Sequence, residues 1–486
     1  MSAVSAVSEV ADGQLASPAD WSVAELGAAF RDGTVSPVAV ADAALARIDA
    51  FDDTVNAFVF QDRDTTMAMA AASEARHAKG APLGPLDGVP TSIKDLAPVA
   101  GWPLQRGSRA LSATEPAPAD SPPVARLREA GAVFIGKTAT PESGTRIVTR
   151  SEVHGLTCNP YGLSKTPGGS SGGAAAALAL SMGTLALGTD GAGSIRIPAA
   201  FCNLCGLKPG FGRVPSAPPS IFMPHSVVGP MARRAADVAA MAAVMSGAEP
   251  RDPYAWPVPF DPEAARPAPL TGMRIALSPT LGTNGTPDSA TLHALRTAAR
   301  AVEVAGATVE DADPHLPCDP YEPFMVFWEA TYAGFLDSYP EDAQALMSPL
   351  IHEIAARGRR IDILTYHRAL GQRVAIAAAM RAFYQNYDAV LAPVMPSAAF
   401  DVSAEAPEGE VADDWRWCPF TYLANMTGEP AVSIPTAFTE DGLPLGVQLM
   451  GPSGSDETLL RVAAAVEPHL GVVATRPSLL ASRART

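Results

Sequence analysis

Three side chains in this sequence have the types and settings that nucleophilic catalysis requires. Ser170 lies in the glycine-flanked stretch PGGSSGGAAAA at residues 167–177, and Ser194 follows the turn GAG after an apolar run. Lys94 ends another apolar run, VPTSIK. A serine attacks a carbonyl once a base takes its proton, and burial turns lysine into a base because desolvation lowers its pKa.

The turn before the second serine favours the same chemistry. It is formed by Gly191, Ala192 and Gly193, and its backbone N–H groups are placed to converge on one point, as an oxyanion hole requires. Asp190 and Arg196 flank the turn, and we expect them to form an ion pair that stiffens it. A plain turn with a helix cap explains these residues equally well, and a lone lysine most often extends to the surface.

Three further motifs carry weaker signals. Residues 131–138, GAVFIGKT, match the pattern of a phosphate-binding loop, but their apolar residues predict a buried strand instead. GGSSG around Ser170 matches the nucleophile elbow of a Ser-His-Asp hydrolase, although a loop rather than a strand precedes it. Cys202 and Cys205 form a CxxC without a second pair, which favours two buried thiols over a redox or zinc site.

These residues need a scaffold, and hydrophobic periodicity predicts alternating strands and helices. Buried strands are predicted at residues 87–96, 131–138, 184–190, 273–279, 387–393, 430–438 and 445–451. Helices are predicted at residues 122–130, 170–183, 287–305, 340–357, 363–384 and 456–470. The expected fold is one large α/β/α sandwich, in which helices cover both faces of a central twisted mixed sheet. We expect residues 1–15 to be disordered and residues 16–480 to form one domain.

Composition limits the classes of partner and the compartment. The 486 residues are 47% hydrophobic and 18% charged, and the net charge of −16 argues against a nucleic-acid-binding surface. No segment predicts a signal peptide or a membrane span. The five cysteines are sparse and odd in number, which suits a reducing cytoplasm.

Several blocks in the right order resemble the amidase signature family. They are PGGSSGG, LGTDGAGSIRIPAAFCNLCGLKP, GVPTSIKDL and the tail GEPAVSIPTAFTEDGLPLGVQLMGP, with the family's spacing of 24 between the two serines. The resemblance extends from about residue 20 to 475, with a signature core at about residues 85–215. It is weakest between about residues 310 and 425.

The resemblance implies a Ser–cis-Ser–Lys triad. Ser194 would be the nucleophile, Ser170 the proton relay after a cis peptide bond, and Lys94 the base. Ser171 would orient the relay and cap the following helix. The oxyanion would be held by the amides of Gly191, Ala192, Gly193 and Ser194. Ala192 departs from the two glycines that often precede the nucleophile in the family, so its methyl group narrows the hole.

The implied activity is hydrolysis of neutral, fairly apolar amides, including cyclic amides, anilides, esters and carbamates or urethanes. The apolar segment 321–335 suits such a pocket if it is not simply core, and the net charge disfavours anionic substrates. Arg146 is a candidate anion site that would oppose this preference. The resemblance also places Gly144 and Thr145 loosely at the pocket rim.

Two other functions remain open beside the nucleophile-elbow hydrolase. The chain is alternatively the glutaminase subunit of a tRNA-dependent amidotransferase, or a non-catalytic binding scaffold, although the three candidate catalytic residues argue against the latter. For the leading hypothesis we expect a small-molecule amide as partner, no nucleic acid and no membrane. We also expect a monomer or homodimer, with no cofactor and no metal ion.

Overall fold

The computed structural model describes residues 17–220 and 222–483. Its strands are β1 (Phe58–Phe60), β2 (Pro90–Lys94), β3 (Val133–Thr138), β4 (Arg150–Ser151), β5 (Gly155–Leu156), β6 (Leu185–Asp190), β7 (Cys205–Lys208), β8 (Val227–Ala232), β9 (Arg274–Leu277), β10 (Thr308–Asp311), β11 (Ala389–Pro393), β12 (Ala431–Phe438) and β13 (Pro444–Met450).

The helices within the same ranges vary from one turn to almost six. They are α1 (Val23–Asp32), α2 (Pro37–Val55), α3 (Arg63–Ala78), α4 (Pro122–Glu129), α5 (Gly172–Ala179), α6 (Arg196–Phe201), α7 (Ala235–Met245), α8 (Ser289–Val304), α9 (Tyr321–Asp337), α10 (Glu341–Gln344), α11 (Pro349–Gly358), α12 (Ile363–Phe383), α13 (Tyr422–Thr427), α14 (Asp456–Leu470) and α15 (Ser478–Arg483). Short 3₁₀ helices occur at Pro18–Asp20, Glu142–Gly144 and Trp415–Trp417.

One mixed sheet organises the molecule. Its strand order is β1-β3-β2-β6-β8-β7-β12-β13-β11-β9-β10, while β4 and β5 pair separately. Parallel pairing joins β3, β2 and β6 at one end and β11, β9 and β10 at the other. The remaining neighbours pair antiparallel. The sheet therefore changes direction at β6, the strand that leads into the turn before Ser194.

Strand β11 shows that both faces of the sheet are covered, because successive residues of a strand point to opposite faces. Ala389 and Leu391 belong to the hydrophobic cluster that includes α7, α8 and α14. Val390 and Ala392 belong to the cluster that includes α9, α11 and α12. This confirms the predicted α/β/α sandwich with a mixed sheet.

Most predicted elements are confirmed within a few residues. All seven predicted strands occur, as β2, β3, β6, β9, β11, β12 and β13. Residues 131–138 contain β3 rather than a phosphate-binding loop. Cys202 and Cys205 are buried free thiols, as the CxxC analysis favoured.

Two helix predictions are wrong. The predicted helix 340–357 is divided into α10 and α11, because Ser348 is extended before Pro349, which cannot continue a helix from the preceding turn. The predicted helix 170–183 ends at Ala179, since Ser181 has a left-handed φ of 55°.

Predictions about the chain ends and compartment are tested only in part. The disorder expected for residues 1–15 lies outside the described residues, and the single domain stays a prediction. Across the described ranges, no helix combines the length and hydropathy that a bilayer crossing requires.

Candidate active site

Lys94 lies at the centre of a cluster of hydroxyl groups. It ends β2, and Ser170 and Ser171 lie immediately before α5. Lys94 Nζ lies within hydrogen-bond distance of Ser170 Oγ at 2.7 Å, Ser171 Oγ at 2.9 Å and Thr189 Oγ1 at 2.9 Å. A neutral amine donates through two N–H groups and accepts through its lone pair, so it satisfies three such contacts. The peptide bond between Gly169 and Ser170 is cis. The fold thus brings together two of the three predicted catalytic side chains, 76 residues apart in sequence.

The surroundings of Lys94 favour its neutral form. The side chain is fully buried, and none of its three hydrogen-bond partners carries a charge. Burial lowers the pKa of Lys94 well below its ordinary value, and the nearby carboxylate of Asp190 opposes this shift only in part. The neutral form, which is able to accept a proton, is therefore populated at lower pH than in an exposed lysine.

Ser171 has a different role from the predicted helix cap. It occupies the N-cap position of α5, but its side chain makes no capping hydrogen bond. Its hydroxyl accepts from Lys94 Nζ and donates to the carbonyl of Thr189 at 3.2 Å. The predicted cap is therefore wrong, because that hydroxyl joins β2 to β6.

Sequence analysis missed Thr189 as a partner of Lys94. The residue is on β6, which pairs in parallel with β2 so that Ile93 lies opposite Leu187. Only the adjacency of these two strands in the sheet indicates the contact, and no local pattern in the sequence reveals that adjacency.

Ser194 lies on the tight connection between β6 and α6, as predicted. Gly193 has a φ of 115°, and a Cβ atom there would approach Thr421 Oγ1 to 2.6 Å, so only glycine fits. The Gly193 amide donates to Asp190 Oδ1 at 2.7 Å. No hydrogen-bond partner within residues 17–220 and 222–483 occupies the amides of Gly191, Ala192 and Ser194.

The expected ion pair between Asp190 and Arg196 is confirmed, and both side chains are fully buried. Arg196 Nε lies 3.0 Å from Asp190 Oδ2. The guanidinium also donates to Gln448 Oε1 at 2.8 Å, to the Thr421 carbonyl at 2.8 Å and to Asn425 Oδ1 at 2.7 Å. Burial by itself raises the pKa of Asp190, but the charge and hydrogen bonds of Arg196, together with the Lys208 charge and the Asn425 hydrogen bond, hold that pKa well below its usual range.

The carboxylate of Asp190 shapes the turn directly. Besides the Gly193 amide, it accepts from the amides of Ile195 at 3.2 Å and Arg196 at 3.4 Å. One buried anion thus collects donors from both sides of Ser194 and fixes the backbone on which this serine sits.

Asp190→Asn should destabilise the protein strongly. The change leaves the Arg196 cation buried without a counter-charge, and breaking a buried ion pair in this way costs about 3–5 kcal/mol. Urea unfolding followed by circular dichroism measures the loss. Asp337→Asn is the matched control, because the Asp337–Arg359 pair is exposed and contributes little. Equal stability of the Asp190 variant and the wild type would contradict a structural role for the pair.

Ser170 and Ser194 both line a cavity of about 460 Å³. Gly144 lines it too, and a Cβ atom there would lie 3.4 Å from Ser170 Oγ. Thr145 does not reach this cavity; it is buried, and its hydroxyl donates to the carbonyl of Glu142 at 2.8 Å. The cavity therefore contains two of the three predicted catalytic residues and one of the two rim residues.

Arg146 does not provide the anion site considered from the sequence. Its guanidinium makes an ion pair with Glu405, outside the cavity that contains the two serines. Glu405 also pairs with Arg150, so Arg146 belongs to an ion-pair cluster that lies away from the two serines.

Comparisons with known proteins agree with this geometry. The family profile described as Amidase matches residues 39–460. An acylamidase of Rhodococcus erythropolis is 35% identical over 460 residues, which cover 92% of this chain and 94% of that protein. A glutamyl-tRNA(Gln) amidotransferase subunit of Acidothermus cellulolyticus is 35% identical over 483 residues, covering 91% of this chain and 93% of its own.

Solved structures share the whole fold. A bacterial aryl acylamidase of the amidase signature family superposes with a TM-score of 0.87 and 29% identity, covering 95% of this chain and 99% of its own. A 6-aminohexanoate cyclic dimer hydrolase has a TM-score of 0.85 and 27% identity, again covering 95% and 99%. The chain therefore belongs to the amidase signature family and is a hydrolase of carbon–nitrogen bonds.

Proposed function

We propose that the protein hydrolyses apolar amides through an acyl-enzyme on Ser194, with Ser170 as proton relay and Lys94 as base. The observation that carries this proposal is the 2.7 Å contact between the buried amine of Lys94 and Ser170, which lines the same cavity as Ser194. Among the described residues, neither serine has a histidine as hydrogen-bond partner, which gives the Ser-His-Asp alternative less support.

In the first half-reaction, Ser194 Oγ attacks the carbonyl carbon of the amide. Its proton passes to Ser170 Oγ while the proton of Ser170 passes to the neutral Lys94 Nζ. The tetrahedral intermediate then collapses, the carbon–nitrogen bond breaks, and the same relay returns the proton to the leaving nitrogen. Water repeats the attack on the acyl-enzyme and releases the acid.

The developing oxyanion needs backbone donors that are not already engaged. The amides of Gly191, Ala192 and Ser194 meet this condition, whereas the Gly193 amide donates to Asp190. We therefore assign Gly193 to holding the turn and the other three amides to the oxyanion. The Ala192 methyl group does not remove its amide, so the departure from the common glycine leaves the donor in place.

Aromatic side chains support the proposed preference for apolar substrates. The cavity wall includes Phe222, Trp328, Tyr332, Phe335, Tyr339 and Trp415. Four of these belong to α9 or the residues directly after it, so the segment 321–335 contributes side chains to both core and pocket. Such walls bind aryl and alkyl groups by excluding water from them.

The size of the site also suits larger amides. A surface groove of about 620 Å³ adjoins the cavity and shares Pro98 and Pro218 with it, which leaves room for a long or cyclic substrate. Esters and carbamates, including urethanes, present the same carbonyl to Ser194 and belong to the proposed range. The sparse cysteines favour action in the cytoplasm.

The second candidate is the amidase component of an amidotransferase, which the similarity to glutamyl-tRNA(Gln) amidotransferase subunits supports. Such a component would act on glutamine with partner proteins. The aromatic wall favours the free-standing enzyme, because glutamine offers no aryl or long alkyl group to bury there.

An anilide or cyclic amide should be cleaved at least about 100-fold more efficiently than glutamine, because each well-buried apolar group adds about 1–3 kcal/mol of binding. The measurement is kcat/KM for glutamine, an aliphatic amide, an anilide, a cyclic amide and an aryl carbamate under one condition. Glutamine as the best substrate, or activity that appears only with added partner subunits, would contradict the free-standing enzyme.

A further inference from the structure

Arg106 lines the same cavity as Ser170 and Ser194. Within the described part of the chain, its guanidinium makes no hydrogen bond and no ion pair, and its Nε atom is buried without a partner. Buried guanidinium nitrogens are normally paired, because desolvating an unsatisfied donor is costly. The side chain is therefore an unused donor group at the reaction site.

Two carboxylates lie near Arg106 or the cavity. Asp252 lines the cavity, and its two carboxylate oxygens accept from the amides of Ser216 at 2.8 Å and Tyr254 at 2.9 Å. Asp95, next in sequence to Lys94, pairs through Oδ1 with Lys137 at 2.8 Å, while its buried Oδ2 has no hydrogen-bond partner among the described residues. Neither carboxylate makes an ion pair with Arg106, so its positive charge remains available.

The backbone of Arg106 is held in a conformation that few residues adopt. Its φ is 54°, in the left-handed region, and its carbonyl accepts from the amide of Ser143 at 2.8 Å. Ser143 also lines the cavity, has a φ of 51°, and accepts from the Tyr332 hydroxyl through its carbonyl at 3.3 Å. Left-handed conformations in non-glycine residues are strained and concentrate at functional sites.

We infer that Arg106 binds a carboxylate carried by the substrate, so that the preferred amides combine an apolar body with one anionic group. The inference rests on the proposed function and refines its substrate class. A guanidinium matches a carboxylate with two parallel N–H···O contacts, and the aromatic wall takes the remainder of the molecule. The net charge of −16 acts over a long range and is screened by salt, whereas this contact is direct.

Two pairs of shape-matched substrates test the inference and locate the anionic group. On the amine part, 4-acetamidobenzoate is compared with 4-acetamidoacetophenone, in which a neutral methyl ketone replaces the carboxylate. On the acyl part, glutaric acid monoanilide is compared with 5-oxo-N-phenylhexanamide. In at least one pair, the wild-type kcat/KM should be about 10- to 100-fold higher for the carboxylate, the usual effect of a charge-assisted hydrogen bond.

Arg106→Asn removes the guanidinium with little backbone disturbance, because asparagine tolerates a left-handed φ. The ratio of kcat/KM within the selective pair should then fall to about 1, mainly through KM. Arg109→Gln is the matched control: Arg109 lies three residues away, is exposed and pairs with Glu152 outside the cavity. Its ratio should equal that of the wild type.

A wild-type ratio near 1 in both pairs, or a ratio that survives in Arg106→Asn, would overturn the inference. If Arg106→Asn has no activity toward any of the four amides, binding is measured instead by calorimetry. The affinities of the same substrate pairs are compared in the Ser194→Ala protein and in the Ser194→Ala, Arg106→Asn double variant. A preference for the carboxylate that is lost in the double variant supports the inference, and no preference, or one that survives, overturns it. Turnover of the two neutral ketone amides, dependent on Ser194, tests the proposed function separately, since it does not require the carboxylate.

Discussion

Ser194→Ala should lower kcat by about 10⁴-fold or more and should abolish any covalent intermediate. The nucleophile is lost, and the remaining donors stabilise only a reaction with water, as in other serine hydrolases that lose this residue. The fold should survive, because the structure gives the Ser194 hydroxyl no hydrogen bond to another described residue. Steady-state turnover of an anilide and thermal unfolding measure the two effects.

A fluorophosphonate identifies the nucleophile independently of turnover. Intact-protein and peptide mass spectrometry should find the adduct on Ser194 in the wild type and no adduct in the alanine variant. Ser433→Ala is the matched control, because this serine is buried on β12 and its hydroxyl has no partner among the described residues. An adduct on Ser170 would contradict the assignment and restore the nucleophile-elbow hydrolase.

Lys94→Arg and Lys94→Met should each lower kcat by at least about 100-fold. General-base catalysis contributes about 10²–10⁴-fold, and a guanidinium does not lose its proton in the accessible pH range. The methionine variant separates chemistry from folding, since it fills a similar volume without burying a charge. A methionine variant that folds and keeps more than a few per cent of kcat would mean that another group is the base.

The pH dependence of kcat/KM should also identify Lys94 as the base. If neutral Lys94 is the base, as proposed, kcat/KM should rise with pH and level off above the lysine's lowered pKa. Lys208 is a useful comparison, because it is a second buried lysine whose pKa is lowered, in its case to about 7. Lys208→Met should keep the inflection of the wild type, whereas loss of that inflection would assign it to Lys208.

A site residue could be predicted from the sequence only where a recognisable pattern lies next to it. Each of the three proposed catalytic residues lies beside such a pattern: a glycine cluster for Ser170, a turn for Ser194 and a strand end for Lys94. The family resemblance then implied their roles. The partners of Arg196 that support the turn before Ser194 are not marked by any local sequence pattern. Arg196 reaches Thr421, Asn425 and Gln448 across 225, 229 and 252 residues.

Arg146 and Arg106 also show the difference between local sequence patterns and distant contacts. Arg146 was considered because it lies close to the signature, but it does not line the cavity and it pairs with Glu405, which is distant in sequence. Arg106 has no such motif beside it. Its proposed role rests on two structural observations: its guanidinium has no described partner, and its backbone is left-handed. Neither property is visible in the residue type or its neighbours.

The buried hydrogen bonds of Arg196 also have a consequence for the order in which a ribosome produces the enzyme. Lys94, Ser170 and Ser194 leave the exit tunnel more than 200 residues before the acceptors at Thr421, Asn425 and Gln448 exist. Until then the guanidinium lacks most of its partners, and contacts of such separation form late. The nascent chain therefore carries all three proposed catalytic residues while most partners of Arg196 are still untranslated, and we expect hydrolysis to begin only when synthesis is almost complete.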